Sequence, residues 1–270
     1  MTSRERIYAT FSHIQPDFTP CDYFYTPEIH SALLEVFNVK NENALRKCLG
    51  VDIIYVNPIY NGPNLKIFDD GSTMDEWGVR RKSMPNEYGE YDEPITAPYR
   101  DFNSVADVDA FHWPDPGWYD YSVIPEVCEQ YPDMAIAVGD FSVQDFINSI
   151  AFGRGVEQVL IDIATEDPVY LRMVEIRHQF YLKKIENCLR AGNGRVDLVL
   201  CGDDFGSQRG LLISPEKIFK LFGDMKKELF DLAHRYSAKV THHCCGSSRE
   251  VIPTFIELGM DALQTIQPQA

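Results

Sequence analysis

Hydrophobic positions along the chain fall into blocks that switch between a helical and a strand period. Residues 3–12 place Ile7 and Phe11 on one side and predict a short amphipathic helix. After Pro20, the apolar and aromatic run Cys21-Asp22-Tyr23-Phe24-Tyr25 predicts a first strand, and residues 28–37 predict a helix. Val51-Asp52-Ile53-Ile54-Tyr55-Val56 is rich in β-branched residues and predicts a second strand. The stretch 65–99 is polar and turn-rich around Asn86-Glu87-Tyr88-Gly89, which predicts a β-hairpin excursion from the core.

Regular alternation resumes after the stiff turn Trp113-Pro114-Asp115-Pro116. Ala135-Ile136-Ala137-Val138-Gly139 predicts a buried strand. Asp167-Pro168 then opens a helix that runs to Gly192, with Leu171, Val174, His178, Leu182, Ile185 and Leu189 on its inner stripe. Val196-Asp197-Leu198-Val199-Leu200 follows as a strand, and Ser214-Pro215-Glu216 opens a helix with Ile218, Phe222, Met225 and Leu229 at helical spacing. Lys239-Val240-Thr241-His242-His243, a short helix over 252–258, and a last strand over 261–266 close the pattern. Strand followed by helix, repeated about six times, predicts a parallel sheet covered by helices. Right-handed crossovers leave a barrel or a doubly wound sheet. No glycine-rich dinucleotide fingerprint or phosphate loop follows any strand, which favours the barrel.

The 270 residues suffice for one such domain, and 44% hydrophobic with 24% charged residues is the balance of a globular enzyme. The net charge of -16 argues against nucleic acid as a partner, because phosphate contacts need a basic stripe. Seven cysteines, an odd number and mostly scattered, predict reduced thiols and a cytoplasmic protein. The sequence contains no apolar run of membrane-spanning length.

In an α/β barrel, chemistry sits at the C-terminal ends of the strands. The strand ending at Leu200 runs into Cys201-Gly202-Asp203-Asp204, and two carboxylates there are costly unless they ligate, cap or catalyse. Asp203 and Asp204 are therefore the candidate catalytic residues. Asp140, Arg154 and Gln208 are candidate substrate contacts. The strand ending at His243 runs into Cys244-Cys245-Gly246, and imidazole with thiolate is a zinc-type donor set. Alternate residues of an extended strand share a side, so His243 pairs with Cys245 and His242 with Cys244. Both pairs remain open as metal ligands from spacing alone.

Several of these segments resemble the uroporphyrinogen decarboxylase-like superfamily: Asp203 to Gln208, Leu211 to Glu216, His243-Cys244-Cys245-Gly246, Trp113-Pro114-Asp115-Pro116 and the closing Gln267-Pro268-Gln269-Ala270. The resemblance implies a (β/α)8 TIM-type barrel formed by residues 1–270 as a single domain. The true decarboxylase grips its substrate through an N-terminal arginine-rich segment. The corresponding Asp22-Tyr23-Phe24-Tyr25-Thr26-Pro27 has no arginine. The other branch comprises zinc-dependent methyltransferases that exchange methyl groups with a corrinoid protein, and its His-x-Cys pair matches His243 and Cys245. The resemblance therefore implies zinc, a corrinoid-carrying partner and a small methyl donor or acceptor. A decarboxylase-like enzyme on another carboxylated substrate, or a non-catalytic barrel, are the alternatives. The family's second cysteine lies beyond Ala270, and six strands are countable against eight. The expectation is a barrel lacking its last two strands, either a fragment of a longer protein or one whose gap another chain fills, and a homo-oligomer is among the expected assemblies.

Overall fold

The computed structural model describes residues 1–270. Five parallel strands form the central sheet in sequence order: β1 Ile53–Tyr55, β2 Ala135–Gly139, β3 Leu198–Gly202, β4 Lys239–His243 and β5 Ala262–Gln264. Neighbours in sequence are neighbours in space, with helices in the crossovers. β4 sits between β3 and β5, pairing His243 with Gly202 on one side and Gln264 on the other. The architecture is α/β. β1 and β5 are open edges, and these strands do not close into a ring.

The period-2 rule sorts the sheet's two faces. Ile54, Ile136, Val138, Val199, Cys201, Val240 and His242 point to the helical layer and join the main core. The helix Pro168–Ala191 fits the predicted span, but its buried stripe is wider than the sequence suggests. Met173, Arg177, Phe180 and Tyr181 are buried there, whereas Leu171 and Leu182 are only half-buried. The helix Pro215–Arg235 buries Ile218, Phe222, Lys226 and Leu229. On the opposite face of the sheet, Ile53, Ala135, Ala137 and Leu198 pack on Ile7 of the helix Ser3–Phe11. Beside them lies a cavity of about 360 Å3 lined by Tyr55, Leu200, Thr241 and Gln264 among others.

Three expectations need correction. Residues 21–25 form no strand: the Cys21 N–H reaches Asp52 Oδ2 at 2.8 Å and the Cys21 C=O accepts the Asp52 N–H at 2.8 Å. Tyr23 and Tyr25 pack on each other and on His30, and Phe24 packs on Tyr55 and Phe141. The sheet therefore has five strands, not six. The segment 148–165, passed over by the sequence pattern, forms two helices, Asn148–Arg154 and Val156–Thr165, joined at Gly155 with φ +96°. The excursion is present as the antiparallel hairpin Arg80–Asn86 with Gly89–Pro94, joined on its edge by Thr73–Met74. No helix is long and apolar enough to cross a membrane.

Candidate metal centre

His243 ends β4 on the face away from the helices, and its side chain is 14% exposed. The next residue on the same side is Cys245. Its Sγ lies 3.2 Å from His243 Nε2. Asp204, from the loop after β3, brings Oδ1 to 3.5 Å from the same nitrogen. Ligand atoms of Asp204, His243 and Cys245 all lie within 4.8 Å of one another. One sulfur, one nitrogen and one oxygen donor at the C-terminal edge of a parallel sheet form a set that suits a divalent zinc-type ion with a position left open.

Each donor is held by a neighbour. Gln264, across the β4–β5 ladder, places Oε1 3.0 Å from His243 Nδ1. An amide oxygen there accepts a hydrogen bond from Nδ1–H, which leaves the Nε2 lone pair facing Cys245 and Asp204. Asp204 accepts the Cys245 N–H at 2.7 Å on Oδ1 and the Asn148 amide at 3.2 Å on Oδ2. The Phe141 ring covers His243, with centroids 4.3 Å apart. Burial, and then the Asp204 carboxylate, push the Cys245 thiol above its usual range. A cation among the three would reverse that, since it stabilises the thiolate.

Backbone contact fixes the spacing of the two loops. Gly246 adopts φ +76°, and a Cβ there would fall 2.6 Å from the carbonyl carbon of Gly206. A Cβ on Gly206 would fall 2.7 Å from the Ser247 nitrogen. Only glycine at both positions lets the loops cross so closely.

The competing pair faces the other way. His242 is fully buried beside Phe255, Phe230 and Phe205, and burial drives its imidazole well below the usual range. Cys244 is buried, with its thiol pushed up to about 11 by burial. The remaining sequence candidates scatter. Asp203 is fully buried and accepts the N–H groups of Phe146 and Ile147 at 3.1 and 3.2 Å, with Lys226 Nζ 3.7 Å away. Burial pushes its carboxyl well above the usual range. Arg154 is 5% exposed; it pairs with Asp162 and donates to the carbonyls of Tyr99 and Phe102, which occupies its guanidinium within the core. Gln208 is exposed in the turn between Ser207 and Gly210. Asp140 follows β2 and bonds Ser142, on a separate cavity. Sequence reasoning missed Gln264, Asn148 and Phe141. Only the first left a signal, as a polar residue in the last strand two places beyond Ala262.

No family model and no curated protein matches the chain. Among solved structures, the fold is similar to that of a methyltransferase from Methanosarcina mazei, with a TM-score of 0.63 and 13% identity. The match covers 98% of this chain and 76% of that one. At that identity the likeness establishes a shared fold.

Proposed function

We propose that this protein is a zinc-dependent methyltransferase-like enzyme that moves a methyl group between a small substrate and a corrinoid carried by a partner protein. The observation that carries the reading is the convergence of Asp204 Oδ1, His243 Nε2 and Cys245 Sγ within 4.8 Å at the edge of a fold shared with a methyltransferase. These residues fit zinc by donor chemistry and by the Gln264 hydrogen bond that fixes the histidine tautomer. Bound there, zinc supplies Lewis acidity, which lowers the pKa of an acceptor thiol or polarises a methoxy or methylamine leaving group.

The chain's own part is orientation. Gln264 retains the Nδ1 proton of His243 and aims Nε2. The Cys245 N–H and the Asn148 amide hold the Asp204 carboxylate. Phe141 covers one side of the imidazole and limits water there. Methyl transfer is an in-line displacement at carbon, so holding the nucleophile and the methyl-bearing atom collinear is the largest service a fixed site can render. The decarboxylase alternative would use Asp203 or Asp204 as its anchor, and Asp203 is committed to two backbone N–H groups and Lys226.

Elemental analysis of protein purified without chelator tests the reading. The expected result is about one zinc per chain, lost in Cys245→Ser and His243→Ala and retained in Cys244→Ser, with methyl transfer from methylcobalamin to a thiol following the zinc. Zinc lost in Cys244→Ser and kept in Cys245→Ser would overturn it.

A further inference from the structure

A cavity of about 220 Å3 lies apart from the metal centre, between the hairpin segment, the loop after β2 and the helix Pro168–Ala191. Its wall carries three cations, Arg81, Arg177 and Lys184, and three carboxylates, Asp75, Glu76 and Asp140. Only two of these charges meet as a pair. Arg81 meets Asp75 at 3.0 Å. Glu76 accepts from the Tyr119 hydroxyl at 3.2 Å, and Asp140 from the N–H and hydroxyl of Ser142 at 2.8 and 2.5 Å. Neither Arg177 nor Lys184 has an ion-pair partner.

Arg177 is the telling group. It is 2% exposed, and its Nη2 donates to the Ser149 carbonyl at 3.1 Å, but Nε and Nη1 have no partner. Its guanidinium lies 3.7 Å over the Trp77 ring. A cation–π contact returns about 2 kcal/mol when desolvated, and the buried Asp145 carboxylate, whose charge Arg177 favours, is hydrogen-bonded by Asn148 and Ser149 and not by the guanidinium. A carboxylate can accept a charge-assisted hydrogen bond from a guanidinium donor that the protein leaves free. Lys184, with Nζ 4.0 Å from the Tyr119 ring, supplies a second positive charge. A simple anion would also meet Glu76 and Asp140, which have no cation of their own. A ligand carrying both signs satisfies all four groups. The volume lies below the roughly 300–1,000 Å3 of drug-sized sites, which restricts the ligand to amino-acid size.

We propose that this cavity binds a small zwitterion of the amino-acid class, its carboxylate on Arg177 and Lys184 and its ammonium toward Asp140 and Glu76. The inference does not rest on the metal centre. The two places share the loop after β2, in which Phe141 stands against His243 while Asp140 and Ser142 line the cavity, and the helix Asn148–Arg154, in which Asn148 holds Asp204 while Ser149 lines the cavity.

The test uses calorimetric titration of the full chain with glycine, β-alanine and the α-amino acids up to glutamate in size, with acetate and methylammonium as single-charge probes. At least one zwitterion should bind at millimolar concentration or better, at least tenfold more tightly than acetate or methylammonium. Lys184→Gln changes a half-buried side chain in an otherwise intact helix, and it should weaken that binding at least tenfold, as should Asp140→Asn. Cys245→Ser should leave the binding unchanged, which separates this site from the metal reading. Absence of binding by every zwitterion, or acetate binding as tightly with no effect of Asp140→Asn, would overturn the proposal.

Discussion

The two ends of the sheet use the same residue type for opposite purposes. At the N-terminal end, Asp52, Asp197 and Asp261 each immediately precede a strand, and each is saturated by cations and backbone N–H groups. Asp52 meets Arg6 at 2.5 Å and the Cys21 N–H. Asp197 takes Arg4, Tyr8 and Arg195 together with the Ile136 N–H. Asp261 takes Lys239, His234 and the Val240 N–H. At the C-terminal end, Asp204 faces an imidazole and a thiol and no ion-paired lysine or arginine. A carboxylate surrounded by cations ties elements together, whereas one gathered with other ligand atoms is arranged for something that is not protein. The barrel rule that chemistry sits at strand C-termini and stability at the other end describes this contrast.

The strongest challenge to the contrast is Asp197→Ala. Asp197 is 1% exposed, and its loss strands the buried Ile136 N–H and takes a partner from the partly exposed Arg4, Tyr8 and Arg195. Losing these bonds should cost about 2–3 kcal/mol in denaturant unfolding, with the ion pairs to the partly exposed arginines discounted for solvent screening. The folded fraction should still bind zinc normally. Reduced zinc stoichiometry per folded molecule would mean that the two ends are coupled.

Gln264→Leu probes the opposite end. Removing the partner of Nδ1 frees the imidazole to rotate and to change tautomer. Zinc affinity should fall by about 10–100-fold, read by chelator competition, while unfolding shifts by less than about 1 kcal/mol. A large loss of stability with unchanged affinity would reassign Gln264 to the structural end.

The smallest effect is expected from Asp261→Asn. Burial works against the charge of Asp261, but bonds from Lys239 and His234 hold its carboxyl below the ordinary value of 3.8. Because the folded value is the lower one, the stabilisation is full above 3.8 and is lost as pH falls through the folded value. The variant should be about 1 kcal/mol less stable near neutrality, after allowance for solvent screening, and should converge with the parent in strong acid. A difference that persists in acid would place the effect in shape and not in charge.

How much of this was legible in the sequence depended on whether local spacing or distant contact decided the outcome. The helix 252–258 followed from spacing, because Ile252, Phe255 and Ile256 repeat at the helical period, and β4 followed from its β-branched Val240 and Thr241 and the strand period of two. The same period offered two histidine–cysteine pairs but not the choice between them, since which face of β4 meets helices is settled by packing. Asp203 and Asp204 are adjacent and chemically identical. Their separation depends on Lys226, which lies in the middle of a helix and reads as solvated but is 1% exposed, donating to the carbonyls of Gln144 and Gly202. Residues 21–25 have the composition of a strand. They lack a ladder because Asp52 takes up the backbone groups of Cys21.

The crossing of Gly206 and Gly246 has a thermodynamic meaning of its own. Asp204 and Cys245 lie two and one residues from a contact between peptide backbones that has no room to tighten and no side chain to relax. The conformational entropy of bringing the two loops together is therefore lost when the chain folds, not when an ion arrives. Such a centre is preorganised: affinity depends on ion size and donor chemistry, with little left for loop closure to contribute. An alanine at Gly246 would add one carbon atom far from any ligand orbital and still convert a rigid receptor into one that must rearrange before it can bind.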